Sequence, residues 1–168
     1  MKVVGIAAIS INGMIAQRPS QRSLDWASKD DLKVFKRVTK NAGVVIVGRK
    51  TYETIGKPLA ERLMIVMTKE PSKYEGITGA IEFTDQSPQL ILEDLKGRGF
   101  EEVAVIGGGE IYSLFLKEGL LTDLYVTVEP ILFGNGKNLA TDFDRIDTKL
   151  ESVEKIGDQS VLLYYSLS

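Results

Sequence analysis

Val44-Val45-Ile46-Val47-Gly48-Arg49-Lys50-Thr51 and Val103-Ala104-Val105-Ile106-Gly107-Gly108-Gly109-Glu110 decide the fold. In each, four apolar residues run straight into glycine, and a helical pattern follows, over residues 49–55 and 110–117. Apolar runs without alternation fit strands covered on both faces, as in a parallel sheet whose crossovers are helices. Residues 3–9 form a third such run. Residues 63–67 and 124–128 read as further strands, and residues 88–96 as a helix ending near Gly97 and Gly99. In the tail, residues 150–156 and 160–165 flank Gly157-Asp158, a Gly-first two-residue turn that suits a type II′ hairpin. No repeat or linker divides the chain. The expectation is one α/β domain over residues 1–168, with a mostly parallel central sheet, helices on both faces and a C-terminal antiparallel hairpin.

Composition narrows the chemistry. At 168 residues and 43% hydrophobic, the chain can bury a sizeable core. A net charge of −2 with interspersed signs argues against a nucleic-acid partner. The sequence has neither Cys nor His, which excludes disulfides, thiolate metal sites, cysteine nucleophiles and His-based triads. No metal is expected, and proton chemistry falls to carboxylates, Lys, Tyr or water. No apolar run approaches the roughly 20 residues that span a bilayer, and Ser10 and Asn12 interrupt the N-terminal run too early for a signal peptide. A soluble cytoplasmic protein is expected, with no membrane partner and with a monomer favoured over a dimer.

Residues 10–27 carry little periodicity and follow the C-terminal end of the first strand, where open α/β sheets place ligands. On the helix that starts near Ser28, Asp31, Phe35, Val38 and Ala42 fall within about 60° of one another on a helical wheel. Asp31 thus interrupts an apolar stripe. It could bind a cationic or amidine-like heterocycle through paired hydrogen bonds, or it could be the N3 acid of a capping box with Ser28. Gly107-Gly108-Gly109 would let backbone approach a phosphate at a helix N-terminus, or simply make a tight turn. Tyr112 stands where the last glycine of a Rossmann fingerprint would be, so that motif is absent. Gly48-Arg49-Lys50-Thr51, with Thr68 and Lys69, forms a second phosphate candidate, or ordinary solvated charge. Trp26, the sole tryptophan, is a core anchor or a pocket wall.

Together these segments resemble dihydrofolate reductase. Val47-Gly48-Arg49-Lys50-Thr51-Tyr52-Glu53-Thr54-Ile55-Gly56-Lys57-Pro58-Leu59 is similar to the family's G-R-x-T-x-x-S-I-G-R-P-L stretch. Trp26 followed by Asp31-Leu32-Lys33-Val34-Phe35, Val105-Ile106-Gly107-Gly108-Gly109-Glu110-Ile111-Tyr112 and Tyr125-Val126-Thr127 match three further motifs in order. The resemblance implies reduction of dihydrofolate, a small-molecule partner, by hydride from NADPH. It makes Asp31 the ligand of the pteridine N3 and 2-amino group, supported by Thr127, with Trp26 ordering a water. Ile6, Ala8, Leu32, Phe35, Ile55 and Ile106 would line the pterin and benzoyl pocket, and Arg62 would hold the glutamate tail. Gly48, Arg49, Lys50, Thr51, Thr68 and Lys69 would hold the adenosine end of NADPH. Gly107, Gly108, Gly109, Glu110, Ile111 and Tyr112 would line its pyrophosphate and nicotinamide ribose, and Ala8, Ile15 and Ala16 its nicotinamide.

The chain departs from the family in its long polar loop 17–24 and in Asp25, which replaces the usual proline before Trp26. Ser10-Ile11-Asn12-Gly13-Met14-Ile15-Ala16 and Ile131-Leu132-Phe133-Gly134-Asn135-Gly136-Lys137 instead look like the reductase domain of riboflavin biosynthesis. That domain shares fold and cofactor but reduces a ribosylaminopyrimidine phosphate. A carrier or sensor that binds pterin or nucleotide without turnover is the third reading.

Overall fold

A computed structural model describes residues 1–167 of the protein. The apolar runs form the strands β1 (Lys2–Ile9), β3 (Val44–Gly48), β4 (Leu63–Met67), β6 (Glu102–Val105) and β7 (Asp123–Val128). The helices are α1 (Lys29–Ala42), α2 (Arg49–Ile55), α3 (Pro88–Gly97) and α4 (Gly109–Lys117). With β5 (Ile81–Thr84), β9 (Thr148–Ile156) and β10 (Ser160–Leu167), the strands make one eight-stranded sheet in the order β5-β4-β3-β6-β1-β7-β10-β9. From β5 through β7 every pairing is parallel, and β10 runs antiparallel to both β7 and β9.

The period-2 geometry of a strand sends successive side chains to opposite faces, and both faces here are apolar. Val3, Val44, Ile46, Leu63, Ile65, Val103 and Val105 pack with Ile91, Leu92 and Leu95 of α3 and Phe115 and Leu116 of α4. Their neighbours Val4, Ile6, Val45, Val47, Met64, Val66, Ala104 and Ile106 pack on the other side with Val34, Val38 and Ala42 of α1. This double cover explains why the strand sequences do not alternate. α1 begins at Ser28, whose hydroxyl accepts from Asp31 N–H, and ends at Gly43 in the left-handed region (φ 71°). Leu63 N–H then bonds Gly43 O, and this ties the end of α1 to the start of β4.

Two expectations need correction. The stretch 10–27 is not without structure: it holds β2 (Met14–Ala16) and a 3-10 turn at Ser23–Asp25. β2 pairs antiparallel with β8 (Lys137–Asn138), a partner too distant in sequence for local periodicity to reveal. The hairpin turn contains Gly157, Asp158 and Gln159 rather than two residues, because Ile156 pairs with Ser160. Both of those side chains are buried, so they must oppose each other on one face. A two-residue turn would pair Ile156 with Gln159 and turn Ser160 outward.

Phe115 is fully buried between α4 and the sheet. Phe115→Ala is expected to cost about 3–5 kcal/mol, read as a lower urea midpoint at an unchanged m-value. A midpoint within error of wild type would contradict this packing.

Candidate active site

The candidate site residues gather at the C-terminal ends of the parallel strands. β1 and β7 pair so that Ile6 opposes Tyr125 and Ala8 opposes Thr127. These residues share the α1 side of the sheet with Ile106 and Val47, and the first turn of α1 brings Asp31 over them. Asp31 is 8% exposed. Burial, foremost, pushes its carboxyl above the ordinary carboxylate range, the Thr127 hydroxyl opposes the rise, and the negative charge of Glu129 adds to it. Thr127 Oγ1 is itself buried and makes no full hydrogen bond. It stands near enough to Asp31 to favour the ionised form without closing to bonding contact.

The capping-box alternative for Asp31 does not hold. In that motif the N3 side chain returns to the N-cap backbone N–H. Here Ser28 N–H donates instead to Glu129 Oε1 at 2.8 Å, while Asp31 contributes only its backbone N–H, to Ser28 Oγ at 3.1 Å. The Asp31 carboxylate is left free of the cap.

Arg62 is also buried, at 8% exposure. Its Nε donates to Ala60 O at 2.9 Å and its Nη1 to Thr39 Oγ1 at 2.8 Å. The neighbouring Glu61 pairs with Lys40, and Arg62 has no carboxylate within ion-pair distance among the described residues. Burial lowers its pKa, and the Glu61 charge opposes that. The guanidinium is oriented by neutral acceptors and keeps N–H groups to spare.

The glycine turns stand beside this region. Gly48 N–H donates to Gly107 O at 2.8 Å. A Cβ on Gly108 would lie 2.9 Å from Thr51 Oγ1, and one on Gly109 would lie 3.2 Å from Asn138 O and 3.7 Å from Ile15 Cδ1. The turn between β6 and α4 is therefore a bare backbone cradle, with Thr51 on one side and the β2–β8 ribbon on the other. This suits close approach by a phosphate chain at the N-terminus of α4. Ala16 is buried and Ile15 half-buried in that ribbon. Arg49, Lys50 and Thr51 open α2, and Thr68 and Lys69 follow β4, whose end lies beside that of β3. Arg49 is held by both oxygens of Glu53, at 2.8 and 2.9 Å, and Lys50 lies 3.8 Å from Glu110. Tyr112 differs from its neighbours: its ring underlies Gly107, its hydroxyl donates to Ile6 O, and burial raises its pKa, helped by the Asp31 charge. That hydroxyl is committed within the protein.

Leu32, Phe35 and Ile55 are half-buried around the α1 side, where Phe35 and Ile55 pack against the second core cluster. Trp26 meets Phe133 edge-on at 5.2 Å, and its Nε1 is buried without a protein acceptor. A hollow of about 620 Å³ lies elsewhere, between the end of α4 and residues 142–146 at the opposite edge of the sheet. Convergent polar groups, not concavity, mark the site. Glu129 escaped the sequence reading, although it continues the inward alternation Tyr125, Thr127, Glu129. Phe133 and Asn138 escaped as single site residues because their partners are distant in sequence.

The dihydrofolate reductase family model matches residues 2–155. A dihydrofolate reductase from Haemophilus influenzae is 31% identical over 122 residues, 73% of this chain and 68% of that protein. An uncharacterized Bacillus subtilis protein, YwjB, is 25% identical over 98% of this chain and 97% of its own length. A solved Thermotoga maritima structure, a diaminohydroxyphosphoribosylaminopyrimidine deaminase/5-amino-6-(5-phosphoribosylamino)uracil reductase, superposes with a TM-score of 0.80 at 19% identity. That match covers 99% of this chain and 56% of the other, and at this identity the likeness is one of fold. With the family model spanning nearly the whole chain, the protein belongs to the dihydrofolate reductase family of oxidoreductases.

Proposed function

We propose that the protein reduces 7,8-dihydrofolate to 5,6,7,8-tetrahydrofolate with NADPH as hydride donor. One observation carries this reading: a free buried carboxylate and an unpaired buried guanidinium stand at two points along α1. Asp31 lies in its first turn, and Thr39, which holds Arg62, lies eight residues further on, about 12 Å along a helix. That is the scale of a pteridine joined to a benzoylglutamate tail, and the half-buried Leu32 and Phe35 lie between.

In this reading Asp31 accepts the N3–H and 2-amino hydrogens of the pteridine, with Thr127 as a supporting hydroxyl. Paired hydrogen bonds to an ionised carboxylate are the strong kind. Ile6, Ala8, Ile55 and Ile106 exclude water from the ring, and Arg62 takes the glutamate carboxylate. The glycine cradle of Gly107, Gly108 and Gly109, with Glu110 and Ile111, holds the pyrophosphate and nicotinamide ribose, and Tyr112 forms its floor. Gly48, Arg49, Lys50, Thr51, Thr68 and Lys69 hold the adenosine end, and Ile15 and Ala16 cover the nicotinamide. When bound, NADPH supplies hydride from nicotinamide C4 to pterin C6. A carboxylate paired with N3 and the 2-amino group would not reach N5, so a water would donate that proton, and Trp26 Nε1, buried without a protein acceptor, is available to hold it. The protein's contribution is positioning and electrostatics.

A second reading is supported by one feature. Asn12 bonds both Phe133 O (2.7 Å) and Phe133 N–H (3.2 Å), and β2 pairs with β8. The two segments that look like a riboflavin-pathway reductase thus form one unit beside the cradle. The competing activity is NADPH-dependent reduction of a ribosylaminopyrimidine phosphate.

NADPH oxidation with each substrate separates the readings. Turnover is expected with dihydrofolate, and Asp31→Asn is expected to lower kcat/KM about 100-fold, the equivalent of ~3 kcal/mol of lost charge-assisted bonding. Turnover of the pyrimidine alone would replace the first reading with the second. Arg62→Lys keeps the charge but loses the planar fork. It is expected to raise KM for dihydrofolate roughly 10-fold, with no change for a dihydropterin that lacks the tail. Equal effects on both would remove Arg62 from tail recognition.

Asp31 also sets a stability test. Its folded pKa is raised, so its contribution to stability is full below the unfolded value and is lost as pH rises through the folded value. Ionised Asp31 therefore costs stability at neutral pH. Asp31→Asn is expected to melt higher than wild type at pH 7, with the difference shrinking at pH 4. A variant that melts lower at pH 7 would mean that the carboxylate is already compensated.

A further inference from the structure

We propose that Glu129 is a positioning residue that caps α1 in place of Asp31 and so frees the Asp31 carboxylate for its ligand. The proposal rests on the reading of Asp31 as the ligand-binding carboxylate. Glu129 follows β7 and is 2% exposed. Burying a carboxylate costs several kcal/mol unless donors replace water. Two donors do so here: Ser28 N–H to Oε1 at 2.8 Å, and Ser160 Oγ to Oε2 at 2.5 Å. No cation pairs with Glu129 among the described residues. Its remaining compensation is the positive end of the α1 dipole.

The bonds form a continuous relay. Glu129 fixes the backbone of Ser28, and the Ser28 hydroxyl accepts from Asp31 N–H. Glu129 N–H donates to Ile9 O, which fastens the same residue to the end of β1. Three strand ends therefore converge on the first turn of α1: β1 through Ile9, β7 through Glu129 and β10 through Ser160.

The sequence Ser28-Lys29-Asp30-Asp31 would form a capping box unaided. In that arrangement the Asp31 carboxylate would fold back onto Ser28 N–H and leave the pocket. Glu129 occupies that N–H first. It also stands as a like charge behind Asp31. The other titratable group coupled to Asp31 is Tyr112, whose hydroxyl is held by Ile6 O, while Asp30 is paired with Lys33 and lies against Gly157.

Two variants test this, each checked for folding by thermal melting. Glu129→Gln keeps an oxygen for Ser28 N–H and an amide for the Ser160 oxygen, but removes the charge. Glu129→Ala removes the cap. Asp31 is followed by carboxyl 13C NMR titration in the ligand-free protein, and the affinity for a 2,4-diaminopyrimidine probe is measured beside it. In Glu129→Gln, Asp31 is expected to titrate at least ~0.3 pH unit lower, because a like charge is gone. In Glu129→Ala it should fall further as Asp31 gains the vacated N–H, and probe affinity should drop about 10-fold or more.

Because Glu129→Gln keeps the cap, it is expected to retain probe affinity, and a loss of about 10-fold in it overturns the proposal even if Glu129→Ala fails to fold, as does an Asp31 titration unchanged in a folded Glu129→Ala. A shifted titration with undiminished probe affinity in a folded Glu129→Ala also overturns it, since Asp31 would then need no release. The Asp31→Asn variant is the separate control. Dihydrofolate turnover unaffected by Asp31→Asn would sink the functional reading, while the ligand-free titrations would still report whether Glu129 governs Asp31.

Discussion

The hydrogen bond from Gly48 N–H to Gly107 O joins the two strand–turn–helix units on which the site is built. It forms only because both turns lack side chains. A Cβ on Gly48 would come within 2.9 Å of Ile111, and one on Gly107 within 3.0 Å of Tyr112, at a φ of +104° that L residues rarely adopt. The nesting brings the starts of α2 and α4 side by side at one edge of the sheet. Because β6 also pairs with β1, the same edge holds the end of β1, and through β7 it holds Thr127. The glycine turns and the polar groups around Asp31 and Thr127 thereby share the carboxyl ends of the strands, where open α/β sheets place ligands.

Charge is distributed unevenly along that edge. At its outer end the cations are matched, Arg49 by Glu53 and Lys50 more loosely by Glu110. Around α1 the reverse holds: Asp31, Glu129 and Arg62 are all buried, yet none pairs with another. Glu129 and Arg62 are supported by neutral donors or acceptors, while the Asp31 carboxylate has only the nearby Thr127 hydroxyl. Such an arrangement costs stability that a packed apolar site would not. The opposed apolar clusters on either face of the sheet, with Val44, Val45, Ile46 and Val47 fully buried between them, offset it. The folded protein thus holds a buried carboxylate and a buried guanidinium without letting them neutralise each other.

The sequence exposed what depends on neighbours along the chain. Strands β1, β3, β4, β6 and β7 and the four helices were legible because two-sided burial leaves apolar runs and glycine ends them. Asp31 stood out as a carboxylate in an apolar stripe, but its freedom from the cap did not. That depends on Glu129, 101 residues from the Ser28 it binds. The β2–β8 ribbon was hidden for the same reason, since two short segments gain strand character only by meeting. The turn at residues 157–159 is longer than local sequence predicts because its length depends on burying both Ile156 and Ser160. The motif places Tyr112 beside the glycine turn, and only the fold shows its hydroxyl already given to Ile6 O.

The two candidate substrates place different demands on the far end of α1. A ribosylaminopyrimidine phosphate ends in a dianion, which calls for several donors or more than one cation. An acylglutamate tail presents carboxylates, each of which a single planar fork can hold bidentately. Arg62 is a single guanidinium, fixed at Nε and Nη1 by Ala60 and Thr39, and the nearby Lys40 is already paired with Glu61. A lone, oriented, buried fork matches one carboxylate in charge and in shape. A phosphate there would leave much of its charge uncompensated in a half-buried setting. The geometry around Arg62 therefore favours the folate reading on grounds independent of Asp31, whose paired acceptors would serve a pteridine and an aminopyrimidine alike.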